Sequence, residues 1–256
     1  MARSPTRPAP PSGGRPAVAR RSAPVVDTRR GRRKRGPVRA VIRFVVLAVV
    51  GYLAACVLLL VAYRFVSPPA TTVQIQSAIE AAAAGERFGY AYSPVGEGAQ
   101  DPDVRHADVA SEDARFYQHA GFDFDEIRRA REDAERRGRA PRGASTLTQQ
   151  LVKNLFLTTG RSYVRKGFEV PLTLAAEFIL PKERILTLYL NVAEWGPGVF
   201  GIDAAAEHHY GTSADALSRN QAARLAAILP NPIERSPDNM GQTAARIQTR
   251  MRQMGW

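Results

Sequence analysis

Apolar and polar positions divide the chain into one long apolar segment near the N-terminus and a mostly helical remainder. Residues 44–63 contain no charged side chain, and a helix of that length, at about 1.5 Å per residue, spans the apolar core of a bilayer. Arg39 and Arg43 precede the segment and Arg64 follows it. The segment is longer than the apolar region of a cleavable signal peptide, so it predicts an uncleaved transmembrane anchor over residues 38–66. A buried core helix is the alternative interpretation.

The remainder of the chain shows helical rather than strand-like periodicity from Val104 onward. Ser218 and Gln221 have the spacing of a capping box at the start of a helix. These patterns predict one mainly α-helical domain over residues 101–256. Residues 67–100, which contain loop-forming Gly, Pro and Asp and one short helical pattern, are predicted to be a stem and linker.

The net charge of +12 is concentrated in the N-terminal tail. Residues 1–37 contain eleven basic residues and one acid, whereas the chain from Ser67 onward contains 22 basic and 23 acidic residues. The tail is rich in Pro, Gly, Ser and Ala, which predicts a disordered basic segment. Such a tail either binds nucleic acid or stays on the cytoplasmic side and contacts anionic lipid. The second interpretation is favoured because the folded part is nearly neutral.

The same charge distribution predicts the orientation of the chain in the membrane. Basic residues cluster at 29–35, before the anchor, so the N-terminus is expected in the cytoplasm and the C-terminal domain outside it. The expected location is the cell (inner) membrane, with a single pass and a periplasmic or extracytoplasmic domain. The lone Cys56 lies inside the anchor, so the exported domain has no disulfide and depends on its core alone.

The segment RGASTLTQQLVKNLFL, residues 142–157, combines an apolar stripe with uncharged polar groups. On a helix, Ser145, Gln149 and Lys153 fall in one row, with Ser145 at the helix start. A hydroxyl, an amide and an ammonium at a helix N-terminus suit a phosphate or pyrophosphate together with sugar hydroxyls. A polar face that satisfies neighbouring backbone is an equally open interpretation.

A second cluster lies in ASEDARFYQHAGFDFDEI, where Glu112, Phe116 and His119 have the spacing of one helical face. A carboxylate in partly apolar surroundings can be tuned for acid–base chemistry. Taken alone, an acidic pair on the surface beside a satisfied histidine explains the residues better.

A third cluster joins three cations, Arg161, Arg165 and Lys166, to Glu169. The cations could hold a polyanionic leaving group while the acid orients them, or the four could form an ordinary ion-pair cluster. Downstream, Trp195 and Phe200 lie in a Gly/Pro loop after a helix that ends near Asn191, and either line a cleft or fill the core. The core is the preferred interpretation.

These segments together resemble the peptidoglycan glycosyltransferases of glycosyltransferase family 51, the transglycosylase domain of class A penicillin-binding proteins and their monofunctional relatives. Five motifs match in order over roughly 150 residues. They are Glu112, Asp113, Phe116, His119, Gly121 and Asp123; Gly143 to Asn154 without a break; Arg165, Lys166 and Glu169; Lys182, Ile185, Leu186, Tyr189, Leu190 and Asn191; and Ala222 to Pro232.

The resemblance implies a lysozyme-like, mainly α-helical transglycosylase domain behind one N-terminal transmembrane helix. It implies polymerisation of lipid II into β-1,4 glycan strands with inversion and release of undecaprenyl pyrophosphate. Glu112 is then the general base, and Glu169, the second catalytic candidate, orients the cations or helps hold a divalent ion. The residues expected to bind substrate are Asp113, Phe116, His119, Ser145, Thr146, Gln149, Gln150, Lys153, Asn154, Arg161, Arg165 and Lys166.

The cofactors and partners follow from the same resemblance. A divalent cation, Mg or Mn, is expected, with no residue firmly assigned to hold it, and no organic cofactor is expected. The partners are lipid II, the nascent glycan strand, membrane lipid and other cell wall synthesis or division proteins, and no nucleic acid.

Two departures from the family pattern qualify this interpretation. The fourth motif usually carries Glu where this chain has Thr187, and we expect a structural ion pair to be lost there rather than chemistry. The chain contains no S-x-x-K, the nucleophile motif of a transpeptidase domain, so it resembles the monofunctional, biosynthetic members.

Two other functions remain open at this stage. A lysozyme-like lytic enzyme could also use a single glutamate, although a neutral glycan link gives it no need for cations at 153–166. A membrane-anchored scaffold of the cell wall machinery would need neither Glu112 nor the polar row.

Overall fold

The computed structural model describes residues 1, 37–85, 87–140, 143–160 and 162–256. The predicted disordered tail therefore lies almost wholly outside the described residues, as does Arg161. The chain divides into two compact units, Met1–Phe44 and Val45–Trp256. The second unit contains the hydrophobic core and the candidate site.

The described residues form ten α-helices and three short strands, which agrees with the predicted mainly α class. The helices are α1 Pro37–Tyr63, α2 Thr72–Ala84, α3 Pro102–Glu112, α4 Phe124–Arg137, α5 Leu147–Phe156, α6 Tyr163–Ile179, α7 Lys182–Val192, α8 Ile202–Tyr210, α9 Arg219–Ile228 and α10 Gly241–Gln253. The strands are β1 Ala91–Tyr92, β2 Glu194–Gly196 and β3 Val199–Phe200.

Helix α1 contains the one candidate membrane span found among the described residues, Val38–Tyr63, with a mean hydropathy of 3.0. It is long and apolar enough to cross a bilayer. Its C-terminal half also packs on the domain, because Cys56, Leu60 and Tyr63 are buried in the core. The Tyr52 hydroxyl donates a hydrogen bond to the backbone oxygen of Phe156. The anchor helix thus continues directly into the packing of the domain.

Residues 67–100, predicted as a stem and linker, contribute helix α2 and strand β1, which both pack against the rest of the second unit. Helix α2 begins with a capping box at Thr71 and packs against α5, where the Thr72 hydroxyl donates to the Leu155 carbonyl at 2.9 Å. Strand β1 then pairs in parallel with β3, in the register Ala91↔Val199. Sequence periodicity could not show this because a two-residue strand carries no pattern of its own.

The small sheet has the order β1-β3-β2 and covers one end of the core. Trp195 and Phe200 are fully buried in it, which confirms their assignment to the core. The turn between β2 and β3 needs a glycine, because Gly198 has φ +75° and a Cβ there would lie 1.7 Å from the Gly89 oxygen. That close approach brings residues before β1 against the β2–β3 hairpin.

Helix α5 lies at the centre of the helical packing, in contact with α2, α6 and α7. The predicted leucine stripe is confirmed, because Leu147, Leu151 and Leu155 are all buried. On the other side of the core, α3 packs against α9 and α10. The predicted capping box of Ser218 and Gln221 opens α9. This arrangement brings the C-terminus of α3 to the N-terminus of α5.

Candidate active site

Glu112 is the last residue of α3, and the chain changes direction immediately after it. Asp113 takes φ −155° and ψ 72°, and residues 116–118 form a separate short 3-10 turn. The prediction that Glu112, Phe116 and His119 share one helical face is therefore wrong. Phe116 is fully buried, with the Lys182 ammonium 4.4 Å from its ring centre, so its ring packs in the core.

Asp113 ties the end of α3 to the start of α5. Its carboxylate accepts from His119 Nε2 at 2.9 Å and from the backbone N–H of Leu147 at 3.1 Å. The N–H of Gly121 donates to His119 Nδ1 at 3.2 Å, so Nε2 carries the ring proton. Asp113 and His119 are thus supporting residues that fix the position of Glu112 relative to α5.

Helix α5 begins one residue later than predicted, with Thr146 rather than Ser145 at its cap. The Thr146 hydroxyl accepts from the N–H of Gln149, and the Gln149 side-chain oxygen accepts from the N–H of Thr146. Gln149 is 3% exposed and its side chain serves the cap, so of the predicted row only Gln149 and Lys153 share a face of α5. Ser145 lies outside the helix, exposed at the edge of the cleft.

The Glu112 carboxylate faces a cleft of about 240 Å³ and is held on its inner side by Gln150. Gln150 Nε2 donates to Glu112 Oε2 at 2.9 Å. Burial raises the pKa of Glu112, and the hydrogen bond from Gln150 acts in the opposite direction. The group is therefore an oriented carboxylate with a stronger affinity for a proton than an ordinary glutamate has.

A cluster of cations begins one helical turn beyond Gln150 on α5. Burial, followed by the nearby Arg165, lowers the pKa of Lys153, whereas Glu169 and Glu112 raise it. Arg165 Nη1 donates to Glu169 Oε2 at 2.9 Å, and Lys166 bonds the other oxygen of the same carboxylate. Lys153 therefore lies within electrostatic reach of both the Glu112 carboxylate and the ion pairs of α6.

Glu169 is 2% exposed and fully engaged by these two cations. Its position agrees with the expectation that it orients them, and it offers no free oxygen to a reacting group. Of the predicted site residues, Glu112, Asp113, Ser145 and Thr146 line the cleft. Gln150 bonds Glu112, and Lys153 links Glu112 electrostatically to the ion pairs of Arg165 and Lys166 with Glu169. Phe116, Gln149 and Asn154 are buried and do not line the cleft.

One group of side chains has the spacing of a metal site. Single ligand atoms of Asp113, His119 and Asp123 all lie within 4.8 Å of one another. Each is already used, because Asp113 and His119 bond each other and Asp123 caps α4 while it accepts from Arg115 at 3.2 Å. A guanidinium against one carboxylate opposes a divalent ion there, so this group does not fit a resident metal.

Sequence reasoning missed several residues around Glu112. Arg129 and Arg250 line the cleft, and Arg250 donates to the Ala110 carbonyl at 2.7 Å. Asp108, one turn before Glu112 on α3, is fully buried. No local pattern marked them, because their positions around Glu112 depend on tertiary packing, such as that of α10 on α3.

Thr187, where the family usually has Glu, lies in the middle of α7 and is 1% exposed. Arg105 Nη1 donates to its hydroxyl at 3.0 Å. The same guanidinium bonds Gln100 and the Glu183 carboxylate, one turn before Thr187. Glu183 therefore supplies the acid that pairs with Arg105, at a distance from the cleft.

Comparison with known proteins gives a consistent result. The family model described as Transglycosylase matches residues 93–255. A "Biosynthetic peptidoglycan transglycosylase" of Chromohalobacter salexigens is 44% identical over 218 residues, which cover 84% of this chain and 93% of the relative. Proteins of the same description are 47% identical in Pseudomonas fluorescens SBW25, over 78% and 85% of the two chains, and 44% identical in Pseudomonas aeruginosa PAO1, over 80% and 89%.

Proposed function

The chain belongs to the transglycosylase family, and on that premise we propose that it is a peptidoglycan glycosyltransferase that polymerises lipid II. The donor is a sugar carried on undecaprenyl pyrophosphate, and the product is a β-1,4 glycan strand. The observation that carries the proposal is the arrangement of Glu112. It is an oriented carboxylate at a cleft, with Lys153 and the α6 cations within electrostatic reach.

Glu112 is proposed as the general base. The 4-hydroxyl of the acceptor sugar loses its proton to Glu112 as its oxygen attacks the anomeric carbon of the donor. Gln150 holds one carboxylate oxygen, and no described residue donates a hydrogen bond to the other. That free oxygen, on a carboxylate whose pKa burial raises, is suited to accept the proton.

The cations are proposed to stabilise the leaving group. The bond from the anomeric carbon to the pyrophosphate oxygen breaks, and negative charge develops on the pyrophosphate. Lys153, Arg165 and Lys166 supply positive charge, and Glu169 holds the last two in place. Arg161, which the resemblance also assigns to this group, lies outside the described residues. The expected Mg or Mn ion stays a prediction.

The membrane anchor supports a reaction beside a lipid-linked substrate. The outward face of α6 exposes Tyr163, Val164, Leu174 and Phe178, the first and last by more than 90%. On the inner face of α6, the Phe168 ring lies 5.9 Å from that of Tyr52 in the anchor helix. An apolar face next to the anchor supports a domain that meets the bilayer where the lipid tail of the donor resides.

The location and partners of the protein are proposed on the same basis. The domain would act outside the cytoplasm, with the basic N-terminus inside and a single pass through the inner membrane. Lipid II, the growing glycan strand and membrane lipid are the partners this chemistry requires. Other cell wall synthesis or division proteins are further proposed partners.

The test is polymerisation of fluorescent lipid II by the full-length protein, read on a gel that resolves glycan strands. Glu112→Gln should lower the rate by about 100- to 10,000-fold, the range for loss of a general base. The wild-type rate should fall on acidification at a pH above the ordinary glutamate value of 4.5, because protonated Glu112 cannot accept a proton. Glu207→Gln, an exposed change on α8, is the matched control.

Three outcomes separate the alternatives. A ladder of polymer that vanishes only in Glu112→Gln supports the polymerase. Shortening of preformed glycan without polymer would identify a lytic enzyme. A folded protein without either activity, whose cell wall phenotype also survives Glu112→Gln, would identify a scaffold.

A further inference from the structure

Behind the proposed base, two hydrogen bonds run from Tyr189 through Gln150 to Glu112, and we call them the relay. The proposed function uses only the second of these bonds. The Tyr189 hydroxyl, on α7, donates to Gln150 Oε1 at 3.0 Å. Gln150 Nε2 in turn donates to Glu112 Oε2 at 2.9 Å. The relay therefore runs from α7 through α5 to the end of α3, and it joins these three helices behind the cleft.

The direction of the relay is fixed by the chemistry of its members. A carboxylate only accepts, so Gln150 must present its NH₂ to Glu112 and its oxygen to Tyr189. Burial, with Asp108 and Glu112 next, raises the pKa of Tyr189 well above its ordinary value, so the hydroxyl keeps its proton. The Tyr189 hydroxyl therefore holds the Gln150 amide in the orientation in which its NH₂ group donates to Glu112.

Asp108 adds to the same environment. It is fully buried, and neither of its carboxyl oxygens has a hydrogen-bond partner among the described residues. Burial, followed by Glu112 and Asp113, raises the pKa of Asp108 well above its ordinary value. Of the Asp108 and Glu112 carboxyl groups, Glu112 is the one that accepts a hydrogen bond among the described residues, from Gln150.

We propose that Tyr189 is a positioning residue for the reaction, which acts through Gln150 to orient the Glu112 carboxylate toward the acceptor hydroxyl. The inference rests on the proposed function of Glu112 and reassigns Gln150 from substrate contact to support of the base. Tyr189 is 2% exposed and fully enclosed by the core, so it acts without touching substrate.

The test is Tyr189→Phe in the full-length protein, with lipid II as the substrate. Phe keeps the ring that fills the core and removes only the hydroxyl. We expect kcat to fall about five- to tenfold, the scale of one hydrogen bond, with KM for lipid II within about twofold. The acid limb, which is the fall in polymerisation rate on acidification, should move to higher pH. The reason is that the Gln150 hydrogen bond, which lowers the pKa of Glu112, is weakened.

Tyr189→Phe leaves the other titratable groups around Glu112 unchanged. These are Asp108 on α3, Asp113 directly after α3, Lys153 on α5 and Arg235 after α9. A shift of the limb in Tyr189→Phe therefore reports on the relay, and a merely structural role for the hydroxyl would not produce it.

Two further variants complete the design. Tyr210→Phe is the matched control, because the Tyr210 hydroxyl is buried without a hydrogen-bond partner among the described residues, and it should leave both kcat and the acid limb unchanged. In a Gln150→Leu background, Tyr189→Phe should cause no further loss, since both changes break the relay.

The proposal is overturned if Tyr189→Phe leaves kcat unchanged. It is also overturned if its loss adds fully to that of Gln150→Leu, or if the acid limb does not move. A wild-type protein without polymerase activity would instead refute the proposed function.

Discussion

Glu169→Gln is expected to destabilise the domain, because Glu169 is a buried partner of two cations rather than a reacting group. Its side chain is 3% exposed, that of Arg165 is 18% exposed and that of Lys166 is 44% exposed. Gln keeps the shape of Glu and one acceptor oxygen, but it removes the negative charge. Arg165 is then left partly desolvated beside a neutral amide.

The magnitude follows from the exposure of each partner. A hydrogen bond to a charged group contributes about 1.5–3 kcal/mol. Lys166 is exposed enough to recover most of its share from water. The free energy of unfolding should therefore fall by about 2–3 kcal/mol in Glu169→Gln, mainly through the loss at Arg165. For a domain of this size, each kcal/mol lowers the unfolding midpoint by about 2–4 °C, so the expected decrease is about 4–12 °C.

The assay is thermal unfolding in detergent, followed by lipid II polymerisation at a temperature where the variant is folded. Glu135→Gln is the control, since Glu135 pairs with Arg131 on α4 and both side chains are more than 60% exposed. That control should change stability by less than about 0.5 kcal/mol. An unchanged midpoint in Glu169→Gln, with activity lost as in Glu112→Gln, would refute the reasoning and make Glu169 a catalytic residue.

Two further predictions concern the frame and the cations of the site. Gly121→Ala should cost about 2–3 kcal/mol by denaturant unfolding, because Gly121 has φ +88° and a Cβ there would lie 2.7 Å from Thr173 Cγ2; an unchanged midpoint would contradict this. Lys153→Met should lower the polymerisation rate about 100-fold and yet raise the unfolding midpoint at pH 7. Burial lowers the pKa of Lys153, so below that lowered pKa its charge costs folding free energy, and the gain from Met should shrink as the pH rises toward the ordinary value of 10.5 and vanish above it. A lower midpoint at pH 7 would show that the Lys153 charge stabilises the fold.

The sequence predicted the regular helices well because their signals are local. The leucine stripe of α5 and the capping box at Ser218 need only neighbouring residues to be recognised. The capping box of α5 was missed although Thr146 and Gln149 are only three positions apart. Ser145 and Thr146 are both good N-cap residues, and the side-chain geometry decides between them. The pairing of β1 with β3 joins residues more than one hundred positions apart, and no local pattern records it.

The sequence by itself determined the class of this protein and the chemical groups available to it. The spacing of its motifs carried the resemblance to the transglycosylases, and the apolar run carried the anchor helix. The role of each group was decided by tertiary structure. Asp113 and Glu112 are adjacent in the chain, yet Asp113 bonds His119 and the backbone of α5, whereas the Glu112 carboxylate bonds only the Gln150 side chain among the described residues. Burial and hydrogen-bond partners set what a side chain can do, and both arise only when distant helices pack together.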